Sequence, residues 1–165
     1  MGEEFHPRVG ALVVSTSKAA GEGTDLSGPE LERFVERIGG HLAVTEIVPD
    51  GRDAVATKLR EWADSGEVDL ILTSGGTGFS PDDQTPEATV GVADRTAPGI
   101  GEAMRLASRE HTPHWMLSRA TAAIRGTTLI VNFPGNPKAI GEAGSAIADS
   151  LPHALKLLVE RPVSH

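Results

Sequence analysis

Cysteine and tyrosine are both absent from this chain of 165 residues, and aromatic side chains make up only 4% of it. Without cysteine there can be no disulfide, no thiolate metal site and no cysteine nucleophile. With aromatics so sparse, the core must be built from Val, Leu, Ile and Ala. No basic run occurs and the formal net charge is −8. A nucleic-acid partner is therefore not expected, since both the electrostatic footprint and the stacking platform are missing. No apolar stretch approaches the length of a membrane span, and the opening MGEEFHPRVG carries acids where a secretory signal would be basic. The expectation is a cytoplasmic protein with no membrane partner. Familiar nucleotide and hydrolase motifs are missing too. There is no Gly-x4-Gly-Lys-Ser/Thr, Gly76-Thr-Gly78-Phe-Ser-Pro81 fails the dinucleotide pattern at its third glycine, and no Gly-x-Ser-x-Gly elbow occurs.

What is present describes an ordinary folded domain, 39% hydrophobic and 23% charged. The length suits a single core, expected over residues 8–160 with a flexible leader (1–7) and tail (161–165). Apolar runs at Val9–Ser15, His41–Val48, from Val68 and at Thr127–Phe133 read as strands. Between them, helical spacing is carried by Leu31, Phe34, Val35 and Ile38, then by Val55, Leu59 and Trp62, and then by Ile100, Ala103, Met104 and Ala107. Ser118–Arg125 and Thr127–Phe133 meet at Gly126, which suggests a hairpin. Glu102 and Arg105 fall i, i+3 on what would be the exposed side of their helix, a modest support for it. His111 and His114 flank Pro113 with no third ligand nearby, which argues against zinc. The alternation predicts an α/β fold, a three-layer sandwich with a mostly parallel central sheet flanked by helices.

The most informative stretch is Val68–Thr89, VDLILTSGGTGFSPDDQTPEAT. A buried strand runs straight into Ser74-Gly75-Gly76-Thr77-Gly78, whose glycines allow a sharp turn and a close ligand approach to the amides. Asp82 and Asp83 follow, a pair whose repulsion is most simply relieved by Mg²⁺, although Ser-Pro-Asp-Asp is also good chemistry for a solvated turn. Thr85-Pro86-Glu87 reads as a helix start, with Thr85 as cap. A second anion-friendly corner is Pro134-Gly135-Asn136-Pro137-Lys138, where Asn136 caps, Pro137 takes the first helical position and Lys138 sits at a helix N-terminus. Asp50, in a Pro-Asp-Gly turn, lies just past the end of the second strand. In a parallel sheet, Thr16, Asp50, Ser74–Asp83 and Pro134–Lys138 would converge at one edge.

These motifs, in this order and spacing, resemble the molybdenum cofactor biosynthesis proteins of the MoaB/Mog type. The residues that carry the resemblance are Leu72-Thr-Ser-Gly-Gly-Thr-Gly78, Asp83-Gln-Thr-Pro-Glu87, Pro98-Gly-Ile-Gly-Glu-Ala-Met-Arg105, Leu117-Ser-Arg119 and Asn132-Phe-Pro-Gly-Asn-Pro-Lys-Ala139. The resemblance covers roughly residues 8–160, and the gephyrin G domain and the middle domain of the molybdenum insertase look similar. It implies an adenylyltransferase in which the terminal phosphate of molybdopterin attacks the α-phosphate of ATP with Mg²⁺, releasing pyrophosphate. By motif, Asp50 and Asp83 match the family's essential acids; Asp83 would hold Mg²⁺, and Asp50 would bind metal or orient the attacking phosphate. Ser74, Gly75, Gly76, Thr77 and Gly78 would cradle phosphate. Ser118, Arg119, Glu102, Arg105 and Pro134, Gly135, Asn136, Pro137 and Lys138 would serve the substrate pocket. The resemblance also implies a homotrimer or hexamer, with the molybdenum insertase as a further partner. Thr16 departs from the aspartate, and Asn136 from the serine or glutamine, common in relatives. The competing readings are a molybdopterin carrier or oligomeric scaffold without adenylyltransferase activity, and a nucleotide pyrophosphatase of the competence-damage type.

Overall fold

The computed structural model describes residues 4–160. The strands are β1 (Arg8–Val14), β2 (His41–Val48), β3 (Leu70–Ser74), β4 (Arg95–Thr96), β5 (Ala122–Arg125) and β6 (Thr128–Phe133). The helices are α1 (Thr16–Ala19), α2 (Ser27–Arg37), α3 (Arg52–Asp64), α4 (Thr85–Val92), α5 (Pro98–Ser108), α6 (Pro137–Gly144) and α7 (Leu151–Val159). One six-stranded sheet has the order β2-β1-β3-β6-β5-β4. Its β2, β1, β3 and β6 strands run parallel, while the β5–β6 hairpin turns at Gly126 and makes the β6–β5 and β5–β4 pairs antiparallel. The mostly parallel, doubly covered sheet expected from the alternation is the sheet that forms.

The apolar runs without periodicity explain the layers. Val9, Ala11 and Val13 of β1, Leu70 and Leu72 of β3, and Leu129, Val131 and Phe133 of β6 face one core with Leu31, Phe34, Met104, Ile140, Leu151 and Leu155. The alternate residues Leu12, Val14, Ile71 and Ile130 face the other, against Val55, Leu59 and Trp62 of α3 and Ala88 and Val92 of α4. A strand packed on both faces has no polar side to spare, so it reads as a continuous run. Phe34 and Phe133 meet edge to face at 5.1 Å, a contact that adds about 1 kcal/mol beyond area burial.

Local detail adds to this outline. The two-residue β4 was not anticipated, because an exposed Arg95-Thr96 pair is too short to show a period. The long loop after β1 contains the single-turn α1, capped by the Ser15 hydroxyl. Of the leader expected over 1–7, residues 1–3 lie outside the described residues, as does the tail 161–165. Phe5 packs against the core and His6 Nδ1 hydrogen-bonds the Gly39 carbonyl at 2.9 Å. Among the described residues no helix is long and apolar enough to cross a membrane.

Candidate active site

Chain reversal about β1 creates the site. From β1 the chain crosses to β2 on one side, then returns to β3 on the other, so the connections after β1 and β3 turn to opposite faces of the sheet, the arrangement that leaves a crevice at the carboxyl edge of α/β sheets. Asp50 follows β2 there, and the loop carrying Asp83 follows β3. Thr16 opens the loop after β1 and bonds reciprocally to Asp50. Asp50 Oδ2 accepts from the Thr16 amide at 3.0 Å and from its hydroxyl at 2.9 Å, while Thr16 Oγ1 accepts from the Asp50 amide at 3.1 Å. Thr16 thus supplies Asp50 with a neutral partner.

The glycine loop is folded tightly over the strand ends. Gly75 has φ +103°, and a Cβ on it would lie 2.2 Å from the Val14 carbonyl oxygen, so only glycine lets the chain pass there. The Gly75 amide donates to the Phe133 carbonyl at 3.1 Å, which welds this loop to the end of β6. Ser74, expected to bind phosphate, is buried and donates its hydroxyl to the Pro134 carbonyl at 2.9 Å. Its role is therefore to join the two loops. Ser27 at the start of α2 ties that helix to the second of these loops, donating to the Gly135 carbonyl at 3.1 Å.

Thr85 does not cap α4. Gln84 occupies that position without a capping bond, its side chain donating to the Pro81 carbonyl at 3.3 Å, and the Thr85 amide donates to the Gly76 carbonyl at 3.0 Å. Its hydroxyl is buried beneath Gly76 and, among the described residues, has no hydrogen-bond partner. The acids after the loop divide. Asp82 is exposed, whereas Asp83 closes its own turn, its amide donating to Ser80 O at 2.9 Å and its Oδ2 accepting from Ser80 N at 3.0 Å. Turn chemistry and a candidate metal-binding acid thus coexist in one residue.

Three of the residues expected in the substrate pocket serve the protein's own backbone. Arg119 donates from Nε to Gly78 O at 2.9 Å and from Nη2 to Asp83 O at 2.7 Å, and it forms an ion pair with Glu87 through Nη1. Partial burial pushes the Glu87 carboxyl up, but the Arg119 bond, its own backbone amide and the charges of Arg119 and Arg52 outweigh this and hold it below the usual range. Arg105 is half-buried and donates to Ala120 O at 2.6 Å and Ser118 O at 3.4 Å, so it is not the exposed partner of Glu102 that spacing suggested. The Ser118 hydroxyl accepts from the Ala120 amide at 3.4 Å. Glu102 stays exposed on α5. Helical spacing locates a side chain on its helix but says nothing of an irregular segment packed beside it.

The corner after β6 forms as read. Asn136 Oδ1 accepts from the Lys138 amide at 3.0 Å, Pro137 opens α6, and the Lys138 side chain is 85% exposed. The Lys138 amide is spent on this cap and the Ala139 amide on the Asn136 carbonyl, so what favours an anion at this corner is the helix dipole. Beneath the crevice lies a buried polar network that sequence reading missed. Asn132 Nδ2 donates to Thr73 Oγ1 at 3.0 Å and to Thr89 Oγ1 at 2.9 Å, pinning α4 to β3 and β6. Its one signal was a lone Asn within the apolar run Leu-Ile-Val-Asn-Phe.

Among the described residues no group of three or more metal-binding side chains occurs; a Mg²⁺ ion needs only one or two carboxylates beside phosphate and water. Asp50 and Asp83 each bind protein donors through Oδ2, and among the described residues no protein donor bonds to either Oδ1.

The model of the probable molybdopterin binding domain matches residues 10–153. A molybdopterin adenylyltransferase of Helicobacter pylori is 37% identical over 153 residues, covering 92% of this chain and 87% of that protein. The molybdenum cofactor synthesis protein cinnamon of Drosophila melanogaster is 39% identical over 150 residues, and the match spans 90% of this chain but only 25% of that longer protein. Among solved structures, the molybdopterin biosynthesis enzyme MoaB of Thermus thermophilus aligns with a TM-score of 0.88 at 43% identity, covering 96% of this chain and 99% of that one. Sequence, fold and crevice agree, and the chain belongs to the family of probable molybdopterin binding domains.

Proposed function

We propose that this protein acts in molybdenum cofactor biosynthesis as a molybdopterin adenylyltransferase. The observation that carries the reading is the meeting, at one sheet edge, of the glycine loop, Asp50, Asp83 and the Asn136–Lys138 helix start. Phosphoryl-type transfer asks a protein for positioning and charge neutralisation more than for a covalent nucleophile. A phosphate oxygen of molybdopterin forms a bond to the α-phosphorus of ATP, and the bond to the leaving pyrophosphate breaks, taking its electron pair with it. Amides of Gly76, Thr77 and Gly78, with the dipole of α6 and the Lys138 side chain, would receive the anionic groups, and Ser118 would border them. Asp50 and Asp83 would hold Mg²⁺, which supplies charge neutralisation on the phosphates when bound.

Pyrophosphate release from purified protein with molybdopterin, ATP and Mg²⁺ tests this. Release that requires molybdopterin supports the enzyme, whereas tight molybdopterin binding without release would make the protein a carrier. Assembly into a trimer or hexamer, a cytoplasmic location and hand-over to a molybdenum insertase complete the proposal and rest on family likeness. Light scattering on the purified protein tests the first of these.

A further inference from the structure

The segment between the short 3₁₀ turn at Trp115–Leu117 and β5 has no regular secondary structure, yet it is gripped from two sides. From α5, Arg105 Nη1 holds the carbonyls of Ser118 and Ala120 at 3.4 and 2.6 Å. Gly101, one turn earlier on α5, makes room, since a Cβ there would lie 2.6 Å from Ala120 O and 3.4 Å from both Arg105 Nη atoms. On the far side the same segment reaches the glycine loop. The Arg119 amide donates to Thr77 O at 2.9 Å, and its guanidinium takes Gly78 O, Asp83 O and Glu87. One side chain thereby spans the entry of the loop, its acidic end and the first turn of α4. A planar fork can serve several acceptors at fixed angles, which an ammonium group on a flexible stem cannot do.

We propose that Arg105 and Arg119 form a two-step positioning relay, in which α5 fixes residues 118–120 and these in turn fix the glycine loop and Asp83. Both arginines act through the backbone and not as substrate ligands. The proposal rests on the adenylyltransferase reading only for its kinetic consequences. Two guanidinium groups in series make the loop's rigidity depend on a helix that contributes none of the proposed anion-binding amides and neither acid.

Amide hydrogen exchange and steady-state kinetics on the full chain test the relay, using Arg105→Gln, Arg119→Lys and the double variant. Exchange across residues 75–87 should speed up about tenfold in each single variant while β1 and α2 stay protected. Turnover should fall about tenfold with the KM for molybdopterin changing less than twofold, and the double variant should lose little more than Arg119→Lys alone, as coupled positions do. Unchanged loop exchange in Arg105→Gln would overturn the relay. So would multiplicative losses in the double variant, or a raised KM at unchanged turnover, which would put the guanidinium groups on the ligand. Should Arg119→Lys not fold, Arg105→Gln carries the test alone. A wild-type protein without molybdopterin-dependent turnover would refute the enzymatic reading, while the exchange data would still decide the relay.

Discussion

Asp50 and Asp83 flank the same strand end but are held by opposite means. Asp50 is fixed by a neighbour distant in sequence, its carboxylate bonded to the amide and hydroxyl of Thr16. Asp83 is fixed by its own loop, with Ser80 bonding its carboxylate and Arg119 holding its carbonyl. The first acid owes its place to the pairing of β1 with β2, and the second to a local turn reinforced by an arginine. The difference says which perturbations each acid should feel.

The largest expected effect is at Asp83. Asp83→Asn keeps the turn-closing acceptor but loses the charge, and turnover should drop by about a thousandfold. The melting temperature should shift by only a few degrees, about what 1 kcal/mol does in a domain of this size. Wild-type rates would remove Asp83 from the chemistry. Asp50→Ala should lower turnover by about a hundredfold with molybdopterin affinity held within about threefold. An equal loss of both would make Asp50 a binding residue and break the comparison.

Thr16→Val sharpens the contrast, because it removes both bonds of the hydroxyl with Asp50, one to the carboxylate and one from the amide, and leaves the loop around Asp83 untouched. About a tenfold loss of turnover is expected, with Thr16→Ser near wild type, since one hydrogen bond to a charged group is worth about 1.5–3 kcal/mol and the Thr16 amide bond survives. Identical losses in the valine and serine variants would assign the effect to packing instead of the hydroxyl.

The smallest effect separates both acids from a structural one. Asp69 is buried and takes three hydrogen bonds from Arg8, one from its amide and two from its guanidinium. Burial pushes its carboxyl up, but these bonds and the Arg8 charge hold it below the usual range. Glu87 is held low in the same direction by Arg119. Because the folded values lie below the unfolded ones, their stabilisation is full above the ordinary carboxylate range and fades as the pH falls through the depressed values. Asp69→Asn should cost about 1–2 kcal/mol at neutral pH and flatten the acid limb of a stability profile. Turnover per folded molecule should not change, and a large loss there would mean that Asp69 communicates with the site.

What could be read from the chain was whatever depends on near neighbours. Asn136-Pro137-Lys138 starts a helix because a cap acts over a few residues, and Leu70–Ser74 reads as a buried strand because both of its faces must be apolar. The glycine loop was legible for the same reason, since Gly75 must take a backbone conformation that other residues avoid. Thr85 was misread as a cap because a preceding Gln84 and a following Pro86 suit either numbering of the helix start, and only contact with Gly76 decides it.

By itself the sequence determined the α/β alternation, the apolar strands and the family, since local conformation and burial pattern are properties of short stretches. Tertiary structure alone decided that Thr16 grips Asp50, that Ser74 faces Pro134, and that Arg105 and Arg119 hold backbone carbonyls. A long polar side chain reaches whatever the fold brings within about 3 Å of its tip. That partner is set by strand order and by the path of an irregular segment, neither of which leaves a period in the chain.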